Sequence, residues 1–109
     1  TRGILNAETL AALPRGAFLI SLARGGHVVD GDLLAALDSG RLSMALLDAF
    51  REEPLPADHP FWRHPGVIVT PHVASKTTPR TAAAEIAVDI RRLLAGQMPR
   101  HIVDVDRGY

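Results

Sequence analysis

The chain has 109 residues, 12 Lys+Arg against 12 Asp+Glu, 47% hydrophobic and 22% charged residues, and no cysteine. Its neutrality lacks the basic excess of a phosphate-tracking nucleic-acid binder, and it holds no run of 18 apolar residues to span a bilayer. The lack of cysteine excludes a disulfide scaffold, a thiol nucleophile and a thiolate metal site, and fits a reducing setting, so a cytoplasmic location is expected. One domain is expected at this length. The chain opens on Thr1 with no charged-then-apolar leader, and is expected to be a piece of a longer protein.

Asn6 is the expected cap of a first helix, its side chain accepting from the free amides of the first turn. Leu5 and Leu10 then form a hydrophobic staple, and Pro14 and Gly16 end the helix near Leu13. Ala17–Leu22 is a short, nearly all-apolar run, predicted to be a strand covered on both faces. A second helix is predicted from Asp30 as N-cap, Leu33, Leu34 and Leu37 at helical spacing, and Gly40 as the stop. Ser43–Asp48 and Val67–Thr70 read as further buried strands, joined by a long Pro-rich loop without an obvious helix. Thr78 and Pro79 open the last helix, whose Ala82, Ala83, Ile86, Ile90, Leu93 and Leu94 make one apolar stripe ended by Gly96.

This order predicts an α/β chain with a mostly parallel sheet. A dinucleotide-binding sheet needs a Gly-rich turn between its first strand and a helix N-terminus. No G-x-G-x-x-G occurs, so the sheet is either something else or only the second half of a doubly wound one.

Ligands of such sheets bind beyond the carboxyl ends of the strands. The predicted strands leave Arg24, then Asp48 with Glu52 and Glu53, then His72 at those ends. Singly, each has an ordinary explanation: a charge closing a strand, a solvated loop pair, a turn histidine, a capping aspartate. Together on one rim they offer an imidazole beside a carboxylate, which is a tunable proton donor, and a guanidinium fork for an anion. That set suits reversible reduction of an α-keto acid.

Leu19-Ile-Ser-Leu-Ala-Arg-Gly-Gly26, Leu47-Asp-Ala-Phe-Arg-Glu-Glu-Pro-Leu-Pro56 and Val69-Thr-Pro-His-Val-Ala74, in that order, resemble the C-terminal signature of the D-isomer-specific 2-hydroxyacid dehydrogenases. The resemblance covers essentially the whole chain. It implies the second half of a Rossmann-like dinucleotide-binding domain over residues 1–76. Residues 77–109 would be a return helix and tail of the substrate domain, both incomplete. It implies reduction of a small 2-oxo acid such as glyoxylate or hydroxypyruvate with NADP or NAD, in the cytoplasm and as a homodimer, with no nucleic-acid or membrane partner. Carried over by position, Arg24 binds substrate, His72 donates the proton, and Glu53, immediately before the proline, pairs with it. Cofactor contacts fall on Leu22, Ala23, Arg24, Asp48, His72, Ala74 and Ser75, with no metal. The sequence departs from the family at Ser21-Leu22, Ala49 and Lys76, the last expected to face solvent.

Two other readings compete. The 109 residues alone, lacking a phosphate loop, would be a catalytically silent, self-associating fragment. A zinc hydrolase using Asp58, His59, His64 and His72 has suitable ligand types but no matching helical spacing. Trp62 is expected to anchor the Pro-rich loop on the sheet edge.

Overall fold

A computed structural model describes residues 1–75 and 77–107. Lys76 therefore lies outside the described residues. The fold divides into two compact units, Thr1–Ser75 and Lys76–Tyr109.

The first unit orders α1 (Ala7–Ala11), β1 (Ala17–Ser21), α2 (Asp30–Asp38), β2 (Leu42–Leu47) and β3 (Val67–Val69). Three-residue 3-10 turns, Gly25–His27 and Pro60–Trp62, interrupt the connections. Asn6 caps α1 as expected: its Oδ1 accepts from the amides of Glu8 and Thr9 at 3.1 and 3.2 Å. The Thr9 hydroxyl in turn accepts from the Asn6 amide at 3.0 Å, which completes a capping box. Leu10 is buried. The helix ends at Ala11, two residues short of the expected stop.

The cap of α2 is Val29 rather than Asp30, which becomes its first residue. The cause is a parallel bridge between Leu5 and Val28, flanked by bonds from the Leu5 amide to the His27 carbonyl and from the Val29 amide to the Leu5 carbonyl. This bridge holds Val29 extended. Gly40, at φ +67°, follows the C-cap Ser39 as the left-handed stop a glycine accepts freely.

The sheet is wholly parallel, in the order β1-β2-β3. Its register sets Leu19, Ala45 and Val67 in one row, and Ser21, Leu47 and Val69 in the next. Because side chains alternate along a strand, both rows share a face and pack with Leu10, Leu33 and Leu37 of the helices. The opposite face corrects the expectation of cover on both sides. Phe18 is 71% and Ile20 67% exposed, and Ile68 is also exposed. Within residues 1–75 the helices cover one face only, although the strands are apolar on both.

The loop between β2 and β3 is moored to α2 at both ends of that helix. His59 Nε2 stands 3.8 Å from Asp30 Oδ2, and His64 Nε2 stands 3.2 Å from Asp38 Oδ1. The other nitrogen of each ring accepts a backbone amide, from Phe61 and Gly66 respectively.

In the second unit, α3 (Pro79–Leu94) has Thr78 as N-cap residue and Pro79 at its first turn, as predicted, though the Thr78 side chain makes no capping bond. Its stripe is exposed at Ile86, Ile90, Leu93 and Leu94. Arg100 folds the tail back by pairing with Glu85 and Asp89, and Arg92 Nε donates to the Met98 carbonyl at 2.8 Å. Among the described residues no helix is long and apolar enough to cross a membrane.

Candidate active site

The parallel ladder continues one step past the strands. The Asp48 amide donates to the Ser21 carbonyl and the Thr70 amide to the Leu47 carbonyl, each at 3.0 Å. The segments after β1, β2 and β3 therefore leave the sheet from one rim.

After β3, Pro71 turns the chain, and the His72 amide donates back to the Thr70 carbonyl at 3.0 Å. Proline's fixed φ suits the middle of such a tight turn. His72 itself sits at φ +53°, a left-handed conformation that is uncommon outside glycine and needs its surroundings to hold it. Asp48 holds it. That carboxylate is 1% exposed and accepts from the Thr70 hydroxyl at 2.6 Å, the Val73 amide at 2.9 Å and the Ala74 amide at 2.9 Å. The Thr70 hydroxyl lowers its pKa most and burial opposes; the Ala74 and Val73 amides and the charge of His72 add to the lowering.

His72 Nδ1 lies 2.8 Å from Glu53 Oε2, and the Phe50 amide donates to Glu53 Oε1 at 2.8 Å. Both bonds hold the Glu53 carboxyl below the ordinary glutamate range, the His72 bond most. Desolvation works the other way, and the charges of His72 and Arg24 contribute further lowering. Since Nδ1 faces the carboxylate, Nε2 is the ring nitrogen left for chemistry. His72 and Glu53 both line a cavity of about 660 Å³ whose walls include Phe50, Leu55, Trp62 and Val69.

The structure thus brings His72 against Glu53 and not its neighbour Glu52, although both glutamates are exposed. Asp48 is spent on the turn that displays His72. Arg24 is exposed on the rim with Nη1 donating to its own Ala23 carbonyl at 2.8 Å; it does not line the cavity. Leu22, Ala23, Ala74 and Ser75 are exposed on the same rim. Trp62 ties the Pro-rich loop together, its Nε1 donating to the Pro56 carbonyl at 2.9 Å, and, half exposed, it also walls the cavity beside Val69 of the edge strand. His59, His64 and His72 each face a different carboxylate. Among the described residues no three metal-ligating side chains gather.

Sequence reasoning missed Thr70, whose hydroxyl supplies the shortest bond to Asp48, and Phe50, whose amide orients Glu53. Backbone donors leave no compositional mark. Threonine directly before a proline turn was the available signal for the first.

The segment after β1 offers no helix N-terminus to cradle a phosphate. Extended chain and a 3-10 turn follow β1, and α2 carries Asp30 and Asp32 in its first turn.

Comparison with known proteins gives a consistent result. The sequence model for "D-isomer specific 2-hydroxyacid dehydrogenase, NAD binding domain" matches residues 1–74. A glyoxylate/hydroxypyruvate reductase A of Serratia proteamaculans is 55% identical over the whole chain, which spans 35% of that protein. A D-isomer specific 2-hydroxyacid dehydrogenase of Xanthobacter autotrophicus Py2, solved with NADPH and MES, superposes with a TM-score of 0.90 at 52% identity, covering all of this chain and 45% of that one. An NADPH-dependent glyoxylate/hydroxypyruvate reductase of Sinorhizobium meliloti, solved with NADP and sulfate, gives 0.85 at 43% identity, covering all of this chain and 36% of that one.

Proposed function

Because the chain belongs to the D-isomer specific 2-hydroxyacid dehydrogenases, through their NAD-binding domain, we propose that it supplies the proton-donating rim of a glyoxylate/hydroxypyruvate reductase. The observation that carries this reading is the 2.8 Å contact of His72 Nδ1 with Glu53, the two residues lining one largely apolar cavity. Residues 1–76 would be the C-terminal part of the dinucleotide-binding domain, and 77–109 the return helix and tail of the substrate domain.

When bound, the reduced nicotinamide supplies the hydride. The residues of this chain do the rest. Arg24 swings from the Ala23 carbonyl to take the carboxylate of the 2-oxo acid, a geometry its guanidinium fork matches. His72 gives the proton on Nε2 to the carbonyl oxygen as carbon takes up the hydride, so the 2-hydroxy acid leaves with one hydride and one proton added. Glu53 keeps the ring oriented and compensates its positive charge. Leu22, Ala23, Ala74 and Ser75 border the ring end of the cofactor, while Asp48, buried under the turn, holds the Val73 and Ala74 backbone and makes no direct contact of the kind the resemblance implied. NADP is favoured over NAD because the Xanthobacter and Sinorhizobium relatives were solved with it. A cytoplasmic homodimer acting on no nucleic acid or membrane completes the proposal.

A second reading concerns these 109 residues in isolation. The uncovered face of Phe18, Ile20 and Ile68 and the exposed stripe of α3 favour a silent, self-associating unit, since exposed apolar patches of this kind seek cover. One experiment addresses both readings. The chain is completed with the remaining segments of the Serratia relative, and NADPH oxidation is followed with glyoxylate and hydroxypyruvate. Turnover is expected in the completed protein and not in the 109 residues alone. His72→Gln is expected to lower kcat by ~10²–10⁴. Undiminished turnover in that variant removes the histidine from the reaction.

A further inference from the structure

Two adjacent glycines follow Arg24, and they differ. A side chain on Gly26 would meet nothing within 4 Å. At Gly25, a Cβ would stand 1.8 Å from the Phe50 carbonyl carbon, 2.1 Å from the Arg51 nitrogen and 2.2 Å from the Phe50 oxygen. Gly25 is buried, and its bare Cα lies flat against the Phe50–Arg51 peptide. A second contact ties the same two segments, since Arg51 Nη2 donates to the Val28 carbonyl at 2.9 Å. The segment after β1 carries Arg24. The segment after β2 carries Glu53, and the Phe50 whose carbonyl abuts Gly25 also donates its amide to Glu53 Oε1.

We propose that Gly25 is a positioning residue for the reaction: the seam it makes with the Phe50–Arg51 peptide, held by Arg51, fixes the gap between the Arg24 guanidinium and the Glu53–His72 pair. The proposal rests on the function argued above. Real Cβ atoms essentially never approach closer than 3.0 Å. Alanine at position 25 must therefore part the two segments by about 1.2 Å, the shortfall from the 1.8 Å approach. Backbone on both sides leaves no flexible side chain to give way. A displacement of that size between groups that must meet one small oxo acid is enough to cost ~10²-fold in rate.

The test is a double-mutant cycle in the completed reductase, with kcat/KM for glyoxylate and the NADPH dissociation constant as readouts. Gly25→Ala is expected to lower kcat/KM by ~10²-fold while NADPH affinity holds, and Gly26→Ala to stay within about twofold of the parent. With Glu53→Gln already in place, Gly25→Ala should cost clearly less than its ~10²-fold in the parent, because the Glu53–His72 pair whose distance it sets is already impaired. Equal losses in both backgrounds, or normal kcat/KM in Gly25→Ala, overturn the proposal. If Gly25→Ala does not fold, Arg51→Met carries the same cycle by loosening the seam without a clash. Its loss should likewise shrink in the Glu53→Gln background, and a fully additive loss overturns the proposal. A Glu53→Gln protein as active as the parent refutes the site assignment itself, and the seam proposal with it. An impaired Glu53→Gln with additive behaviour refutes only the seam.

Discussion

Replacing Glu53 with glutamine changes one atom's chemistry and almost no volume, so it isolates what the carboxylate does. Its two oxygens now serve two donors, the Phe50 amide at Oε1 and His72 at Oε2, both at 2.8 Å. Glutamine has one acceptor and one donor end. The Phe50 amide is fixed in the backbone and claims the oxygen, which leaves the NH₂ facing His72 Nδ1. A ring that accepts there can still carry a proton on Nε2, but it cannot hold protons on both nitrogens without setting two donors against each other. Loss of an orienting carboxylate behind a histidine costs up to ~10⁴ in rate where the pair is sealed from water. Here the His72 and Glu53 side chains are 45% and 37% exposed, so solvent replaces part of the carboxylate's effect and the loss should fall near ~10². The assay is kcat for glyoxylate with NADPH in the completed reductase. A kcat within a few-fold of the parent would falsify the role given to Glu53.

Acid should loosen the fold through the same groups. Asp48 and Glu53 are held below the 3.8 and 4.5 of free side chains, so the unfolded chain binds protons more readily. Their contribution is complete above about pH 5 and is lost as pH falls through the lowered folded values. Urea midpoints measured from pH 6 down to 3 should fall, and less steeply in Asp48→Asn and Glu53→Gln; parallel slopes in parent and variants contradict the assignment. Leu33, fully buried in the core, should cost about 2–5 kcal/mol on replacement by alanine. Denaturant unfolding checks this, and a loss under ~1 kcal/mol shows that the site collapses to refill the space.

Elements set by local chemistry were legible in the sequence. The Asn6 cap, the Gly40 stop and the Pro79 start depend on a few neighbouring residues. Periodicity does not separate a short buried strand from a buried helix, but length and flanking breakers favour strands for the apolar runs, and the three strands form. What depended on distant partners was harder to read. Asp30 looks like a cap until Leu5 pairs beside Val28 and draws Val29 into that role. Glu52 and Glu53 are the same residue type side by side, and only the fold brings His72 to one of them; the family resemblance, not the pattern, picked Glu53 in advance. Asp48 announced a polar group at a strand end without revealing that its partners lie 22 to 26 positions away. The bare face of β1 was misread for a related reason, because apolar composition records what a strand can bury and not which part of a protein does the burying.

The paired histidine clasps on α2 restrict how this segment can change in length. Asp30 and Asp38 stand about 12 Å apart along the helix axis, and the loop that walls the cavity is pinned to both. Adding or deleting a residue within α2 would rotate one anchor about 100° away from its histidine and drag Trp62 with the slackened loop. Insertions should therefore be tolerated in the polar tail after Gly96 and rejected inside this short helix, so that a helix remote from the imidazole acts as a ruler for the pocket's far wall.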